Sequence, residues 1–386
     1  MRQKSLFERN PRKTLVVAVG ALLLITDFTF TALHRVVFHS SVEPQSSMRT
    51  QSDIYHHDLK PMLNEVRSHW GPVAYHTSTN SLGFRDAEAR TVSLRRERPR
   101  VLLIGDSFAE GLGVDFGETF AGRVQKELQG IDVLNAALMS YSPIIYYRKI
   151  KYLLEEAGLE FDYVVVFIDM SDVQDEVLYR FDANGNVVSD STSSTVANEE
   201  HVMAARRGKW SSRIVGFVNG HMTVGAILLR RARSLYRGPQ VLYSVNQRRA
   251  LWSIDEQVFE SYGREGLEKA QEHMEMLREL LARHGIPLTV VVYPWPDQIF
   301  HDDLDSKQVT FWREWAQKND VGFLNLFSDF IGQHDSLESM RRYYLPADVH
   351  WNNAGHRVVA HALLRYWETD PVFSQLERRR GAAAGN

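Results

Sequence analysis

Two short stretches, far apart in the chain, carry residue types suited to nucleophilic catalysis. In the first, Val101-Leu102-Leu103-Ile104 runs into Gly105-Asp106-Ser107-Phe108. A short apolar run closed by glycine reads as a buried parallel strand, and a helical stretch follows, ending near Leu128. A serine at such a strand-to-helix turn lies at the carboxyl edge of the sheet, where ligands bind in open α/β folds. It also has free backbone N–H groups and the positive end of a helix dipole beside it. Those are the conditions for a hydroxyl nucleophile with an oxyanion site nearby. The plainer alternative is that Asp106 or Ser107 only caps the helix.

The second stretch is Asp348-Val349-His350-Trp351-Asn352-Asn353-Ala354-Gly355-His356. In an extended segment Asp348 and His350 point the same way. The carboxylate then orients the imidazole, whose other nitrogen takes a proton from Ser107. Asn352 or Asn353 is expected to cap the helix that follows. His356, inside that helix, is expected to be a packing or surface residue.

The elements that position these stretches follow from the alternation of apolar strands and amphipathic helices. Strands are expected at Val101–Ile104, Ile131–Ala137, Tyr163–Ile168, Pro287–Tyr293 and Val321–Leu326. Helices are expected at 142–154, 267–283, 309–318 and 353–367. The pattern predicts an α/β domain with a doubly wound, mostly parallel five-stranded sheet. It is interrupted at 181–262, which opens on a hairpin signal at Asp182-Ala183-Asn184-Gly185-Asn186. A Ser/Thr-rich loop at 189–195 and an amphipathic helix over Val224–Tyr236 follow. Such an insertion suits a lid, a substrate-binding element or a membrane- or partner-facing flap.

The chain has 386 residues, 44% hydrophobic and 24% charged, with a net charge of −3 and no cysteine. It has room for one large domain plus additions. Nothing in its charge calls for a nucleic-acid partner. Disulfides and thiolate metal sites are excluded. Arg2, Lys4, Arg9, Arg12 and Lys13 precede an apolar run from Thr14 to Leu33, long enough to span a bilayer. Asp27 is the one charge inside that run, at a cost of about 2.5–3.5 kcal/mol if central. The absence of a clear small-residue cleavage site favours an uncleaved signal anchor over a signal peptide. The basic flank stays cytoplasmic, and the remainder lies outside, in the periplasm of a two-membrane envelope. The expected organisation is a basic tail (1–13), a transmembrane anchor (14–34), a linker and approach segment (35–97), the α/β domain (98–372) and a disordered tail (373–386).

Other polar groups read structurally. His56, His57 and His69 lack a carboxylate partner in register, so no metal site is expected there. Asp169, Asp172, Asp175 and Glu176 read as a solvated or arginine-paired cluster, with a divalent-cation site as the alternative. No metal or other cofactor is expected. Trp295, in Tyr293-Pro294-Trp295-Pro296, and Trp351 are candidates for contact with a substrate such as a sugar ring; Trp312 and Trp315 suit the core.

The GDSF turn near the start, with D-x-H-W-N-x-x-G-H near the end, resembles the SGNH (GDSL-type) hydrolase superfamily over roughly residues 80–367. The Asp-x-His spacing and the following Trp351 are similar to its membrane-anchored branch, which includes alginate-acetyltransferase-like proteins. The resemblance implies a flavodoxin-like SGNH fold, Ser107 as nucleophile, His350 as base and Asp348 as its orienter. It also implies an oxyanion hole at the Ser107 backbone, at a loop glycine and at an asparagine. Here Ser140 (or Met139) stands at the glycine's place and Ser171 at the asparagine's. The first expectation is a serine ester hydrolase acting on an O-acylated envelope or exported carbohydrate. The alternatives are an O-acetyltransferase of a polysaccharide, with a membrane protein as acyl donor, and a non-catalytic envelope scaffold.

Overall fold

The computed structural model describes residues 10–39, 45–71, 73–189, 222–237, 247–301, 304–346 and 348–383. The Ser/Thr-rich loop beyond Ser189 and the basic residues Arg2, Lys4 and Arg9 lie outside them. The chain divides into two units, one of 1–42 with 197–242 and one of 43–196 with 243–386.

In the first unit a helix spans Pro11–His39. Its stretch Pro11–Leu33 is long and apolar enough to cross a membrane. Leu15, Val16, Leu22, Leu23 and Ile25 are exposed along it, as in a helix whose apolar side chains have no protein to cover them. Asp27 and Thr31, one turn apart, are its buried polar residues among those described. The second described helix of this unit is Thr223–Arg237.

The second unit is built on an eight-stranded sheet. In chain order the strands of this unit are β1 (Arg49–Ser52), β2 (His56–Leu59), β3 (Val66–Trp70), β4 (Val73–Thr79), β5 (Arg85–Asp86), β6 (Arg100–Gly105), β7 (Asp132–Asn135), β8 (Tyr163–Ile168), β9 (Tyr179–Phe181), β10 (Val187–Ser189), β11 (Leu288–Val292) and β12 (Gly322–Asn325). The order β12-β11-β8-β6-β7-β5-β4-β3 places five parallel strands at one side. They are the five expected from the apolar runs. Taken by themselves they have the flavodoxin-like order, with the first strand central and the crossover reversal beside it. β6 and β8 are buried at every residue, as strands covered by helices on both faces must be. The helix 307–318 packs on β11 and β12, 264–283 on the helix 143–151, and 353–369 on the helix 120–127.

The sheet has eight strands rather than the expected five. The segment expected to be a linker supplies β3, β4 and β5, joined antiparallel to β7, and the separate hairpin β1–β2. The apolar periodicity is weak there because the buried positions are polar and satisfied by hydrogen bonds rather than hydrophobic. Ser68 Oγ and Thr77 Oγ1 meet at 3.1 Å, and Thr79 Oγ1 donates to the Lys60 carbonyl at 2.6 Å. The hairpin signal after Asp182 gives β9 and β10, with Gly185 at φ 76°. The tail expected to be disordered is helical over Pro371–Ala383. Phe373 stacks on Trp367 with centroids 4.3 Å apart, and Leu376 is buried. Two apolar residues one turn apart hold a segment whose composition reads as polar.

Candidate active site

Strand β6 ends at Gly105 because the chain must turn sharply against its neighbour. A Cβ on Gly105 would lie 2.8 Å from Ala109 Cβ and 2.9 Å from Phe167 Cβ, closer than side chains pack. The helix Ser107–Glu110 starts immediately. Its cap is Asp106, whose Oδ1 accepts from the Phe108 N–H at 2.9 Å. The two readings of this turn are thereby separated: the aspartate caps, and the serine side chain is left for other partners. As the first helical residue, Ser107 presents an N–H that no intrahelical carbonyl can satisfy.

Across the sheet edge, the chain from Tyr344 to Trp351 closes through a bridge between those two residues. Leu345 N–H donates to the His350 carbonyl at 2.8 Å. The loop ends where Asn352 caps the helix Asn353–Thr369, accepting from Ala354 N at 2.8 Å and Gly355 N at 3.1 Å. The Asn352 amide also donates to the carbonyls of Arg342 and Tyr344. Asp348 and His350 face one another through a turn rather than an extended strand. Asp348 Oδ1 accepts from the His350 backbone N–H at 2.9 Å and lies 2.5 Å from its Nδ1. A carboxylate accepting from the backbone two residues on is an Asx turn, which bends the chain where the spacing suggested extension.

The two loops meet. His350 Nε2 lies 2.8 Å from Ser107 Oγ, with both residues buried. The chain Asp348–His350–Ser107 is continuous, although 243 positions separate the histidine from the serine. Burial alone would raise the Asp348 pKa, but the hydrogen bonds and charge of His350, with a further bond from Trp70, hold it below the usual carboxylate value. An ionised Asp348 fixes His350 with Nδ1 protonated and Nε2 facing the serine.

Sequence reasoning missed Trp70. From the end of β3, its Nε1–H donates to the second Asp348 oxygen at 2.9 Å. Its ring meets the His350 ring edge-on, with centroids 5.0 Å apart. A tryptophan in a stretch that reads as linker gives no local signal of this contact. Asp106 was also read only as a cap. Its Oδ2 accepts from Ser107 Oγ at 2.9 Å, and Tyr293 OH donates to its Oδ1 at 3.1 Å. Burial first, then the neighbouring Asp169, pushes the Asp106 carboxyl up to about 7. The Ser107 hydroxyl therefore faces two acceptors, Asp106 Oδ2 and His350 Nε2.

Ser140 adopts φ 65°, the left-handed conformation of the glycine that it replaces in the resemblance. The loop after β7 is held from several sides. Met139 N–H donates to Glu110 Oε2 at 2.8 Å, the Met139 carbonyl meets His57 Nε2 at 2.9 Å, and Tyr179 OH donates to the Ser140 carbonyl at 3.3 Å. Burial lowers the His57 pKa to about 4, so its ring is neutral. Ser171 is buried, and its N–H donates to Asp169 Oδ1 at 2.7 Å, leaving only its hydroxyl as a donor.

The two tryptophans proposed for substrate contact are structural. Trp351 is fully buried among Phe108, Tyr293 and Phe330. Trp295 is 3% exposed and donates to Asp169 Oδ2 at 2.6 Å. Neither offers a ring to a ligand, because each fills the gap between the sheet edge and its covering helices. Nor is the acidic cluster solvated. Asp169, Asp172, Asp175 and Glu176 are buried; Arg249 pairs with Asp175, and Tyr146 OH donates to Asp172 at 2.9 Å. His356 is a buried packing residue, neutral because burial lowers its pKa to about 3. Trp312 and Trp315 lie in the core, as expected.

The GDSF turn at the first parallel strand and the Asp-x-His loop before the helix Asn353–Thr369 stand at one edge of the sheet, the arrangement that the resemblance to SGNH/GDSL-type domains implies. Residues 251–383 match the family model of the SGNH hydrolase-like domain of the acetyltransferase AlgX. That span contains Asp348 and His350 but begins beyond Ser107. Solved structures with a similar fold include a G-D-S-L lipolytic family protein from Veillonella parvula, 12% identical, covering 70% of this chain and 99% of its own, with TM-score 0.37. Another is an acetyl-xylooligosaccharide esterase from Geobacillus, 15% identical, covering 69% and 93%, with TM-score 0.36. No curated protein sequence matches the chain.

Proposed function

We propose that the chain is a serine acyl-ester enzyme that works through an acyl-Ser107 intermediate, anchored by its N-terminal helix with the α/β unit outside the cytoplasmic membrane. The observation that carries this reading is the hydrogen-bonded series Asp348–His350–Ser107 at 2.5 Å and 2.8 Å. Ser107 Oγ attacks the ester carbonyl carbon while His350 Nε2 takes the hydroxyl proton. The oxyanion receives the N–H groups of Ser107 and Ser140, with the Ser171 hydroxyl as the third donor in place of an amide. Collapse of the tetrahedral intermediate breaks the ester C–O bond. His350 returns the proton to the leaving alcohol, and the acyl group remains on Ser107.

A second oxygen nucleophile then loses its proton to His350, attacks the acyl-serine and restores Ser107. Water as that nucleophile gives an esterase. A carbohydrate hydroxyl gives an O-acetyltransferase, the reading favoured by the family model over residues 251–383. An O-acetylated carbohydrate of the envelope, or one exported through it, suits either reaction. The anchor reading rests on Arg12 and Lys13 in the first turn of an apolar, largely exposed helix.

An acetyl-ester substrate, assayed with and without oligosaccharide acceptor, tests the proposal. An adduct of about +42 Da (an acetyl group in place of the hydroxyl hydrogen) on the Ser107 peptide and faster turnover with acceptor are expected of a transferase. Adduct with acceptor-independent turnover indicates the hydrolase. Ser107→Ala should lose both adduct and turnover, by a factor on the order of 10⁴ or more. Retained activity in that variant sinks the acyl-serine mechanism.

A further inference from the structure

In the first unit, Asp27 is not left as a bare charge on an apolar helix. Its Oδ1 accepts from the Val224 N–H at 2.9 Å and its Oδ2 from the Gly225 N–H at 2.6 Å. Thr31 reaches the same carboxylate at 3.5 Å. Val224 and Gly225 belong to the first turn of the helix Thr223–Arg237, so the carboxylate sits on two amides that this helix cannot satisfy itself. Asp27 lies five residues past the middle of the apolar stretch Pro11–Leu33, about 8 Å along the axis toward its C-terminal end.

The helix itself divides along its length. Its first seven residues, Thr-Val-Gly-Ala-Ile-Leu-Leu, are almost wholly apolar, and its second half carries Arg230, Arg231, Arg233 and Arg237. Val224, Ile227 and Leu228 are 46%, 51% and 62% exposed, and Leu235 and Tyr236 are 90% exposed. Apolar side chains at i, i+3, i+4 and i+11 that stay about half exposed or more, on a helix tied to an apolar span, suit a non-aqueous surface.

We propose that the helix Thr223–Arg237 lies in the outer leaflet of the bilayer crossed by Pro11–Leu33, pinned there by Asp27, with its arginines at the level of anionic lipid phosphates. This rests on the anchor reading given above. The occupant of the exposed face is lipid: an amphipathic helix with arginines beside its apolar residues has the chemistry of an anionic membrane interface. Its N-terminal amides, which would be unsatisfied in hydrocarbon, are those that Asp27 accepts from. The insertion is thereby a second membrane contact, and the acidic residue inside the span has a structural partner.

The chain lacks cysteine, so a single introduced cysteine is a unique reporter. Leu22→Cys, Leu94→Cys, Leu228→Cys and Leu235→Cys are made in the full chain, labelled with bimane and reconstituted in phosphatidylethanolamine/phosphatidylglycerol nanodiscs. Quenching by nitroxide lipids is compared with quenching by aqueous iodide. Probes at 228 and 235 should be quenched at least threefold more by nitroxide lipid than by iodide, as at 22, and unlike the exposed position 94. Adding Asp27→Asn should shift the probe at 228 toward iodide by twofold or more, and Asp27→Leu further. Iodide access at 228 and 235 with lipid access at 22 overturns the proposal and leaves the anchor standing. Protection from both quenchers identifies a protein partner or second copy and overturns it equally. Iodide access at 22 defeats the anchor reading and this proposal with it.

Discussion

Asp348 receives three hydrogen bonds, two from His350 and one from Trp70, and they act on different things. The bond from His350 Nδ1 sets the tautomer, the bond from its backbone N–H closes the turn, and the bond from Trp70 sets where the carboxylate stands. A hydrogen bond to a charged group is worth about 1.5–3 kcal/mol, and here its loss unsettles the base rather than the substrate. Trp70→Phe keeps the ring beside His350 and removes the donor. Its kcat should fall about tenfold, or somewhat more, with KM within twofold, measured on a soluble acetyl ester. An equal loss in KM would assign Trp70 to binding. At this scale the sequence was legible where chemistry and spacing coincide: Ser107, Asp348 and His350, which the fold brings together, have the types and local order that the proposed reaction needs. Trp70 and the second acceptor on Ser107 were not legible, because each acts across a contact that only the folded sheet creates.

At the scale of elements, the site is a pair of loops held by the helices that follow them. The Asn352 side chain caps one helix and ties down the Tyr344 carbonyl, so it fixes the loop carrying Asp348 and His350 from both ends. Asn352→Ala should cost about 1–2 kcal/mol of stability, read as a lowered urea midpoint, since cap and loop bonds are lost together. The same variant should lower kcat more than KM. The five parallel strands were legible because β6 and β8 are continuous apolar runs between turns. Strands β3 to β5 were hidden by buried Ser68, Thr77 and Thr79, whose hydroxyls bond to one another or to backbone and imitate a surface pattern. The C-terminal helix was hidden for a related reason: among the described residues, its buried apolar side chains are Phe373 and Leu376.

Across the α/β unit, the buried acids set a pH dependence. Burial, with Asp169 and Asp106 nearby, raises the Asp172 pKa well above the ordinary value, and Asp175 is raised to about 6 by burial against the opposing pull of Arg249. A carboxyl raised on folding binds its proton more tightly in the native state. Below about pH 4 both states are protonated and the group is neutral in the balance. As pH rises above that, the native state alone keeps the proton, so stability falls until the folded group ionises. Asp172→Asn removes this loss while retaining an acceptor for Tyr146. The variant should gain on the parent protein as pH rises from 5 to 8 in urea melts of the detergent-solubilised chain. A difference independent of pH would show that Asp172 does not titrate there. The neutral His57 and His356 act in the opposite sense below about pH 6.5, which is why the comparison is made between variant and parent rather than on the parent alone.

The bond from Trp70 to Asp348 joins positions 278 residues apart. Such a contact closes late, because the entropy of bringing distant segments together must be overcome first. A chain emerging through a membrane from its N-terminal end delivers β3 early, Ser107 next and the Asp348 loop near the end. The donor on the first strands waits for its acceptor, and the nucleophile waits for its base. On the proposed acyl-serine and anchor reading, acyl chemistry begins only after almost the whole chain has been exported, and a partly translocated or C-terminally clipped chain is expected to be silent toward an acetyl ester.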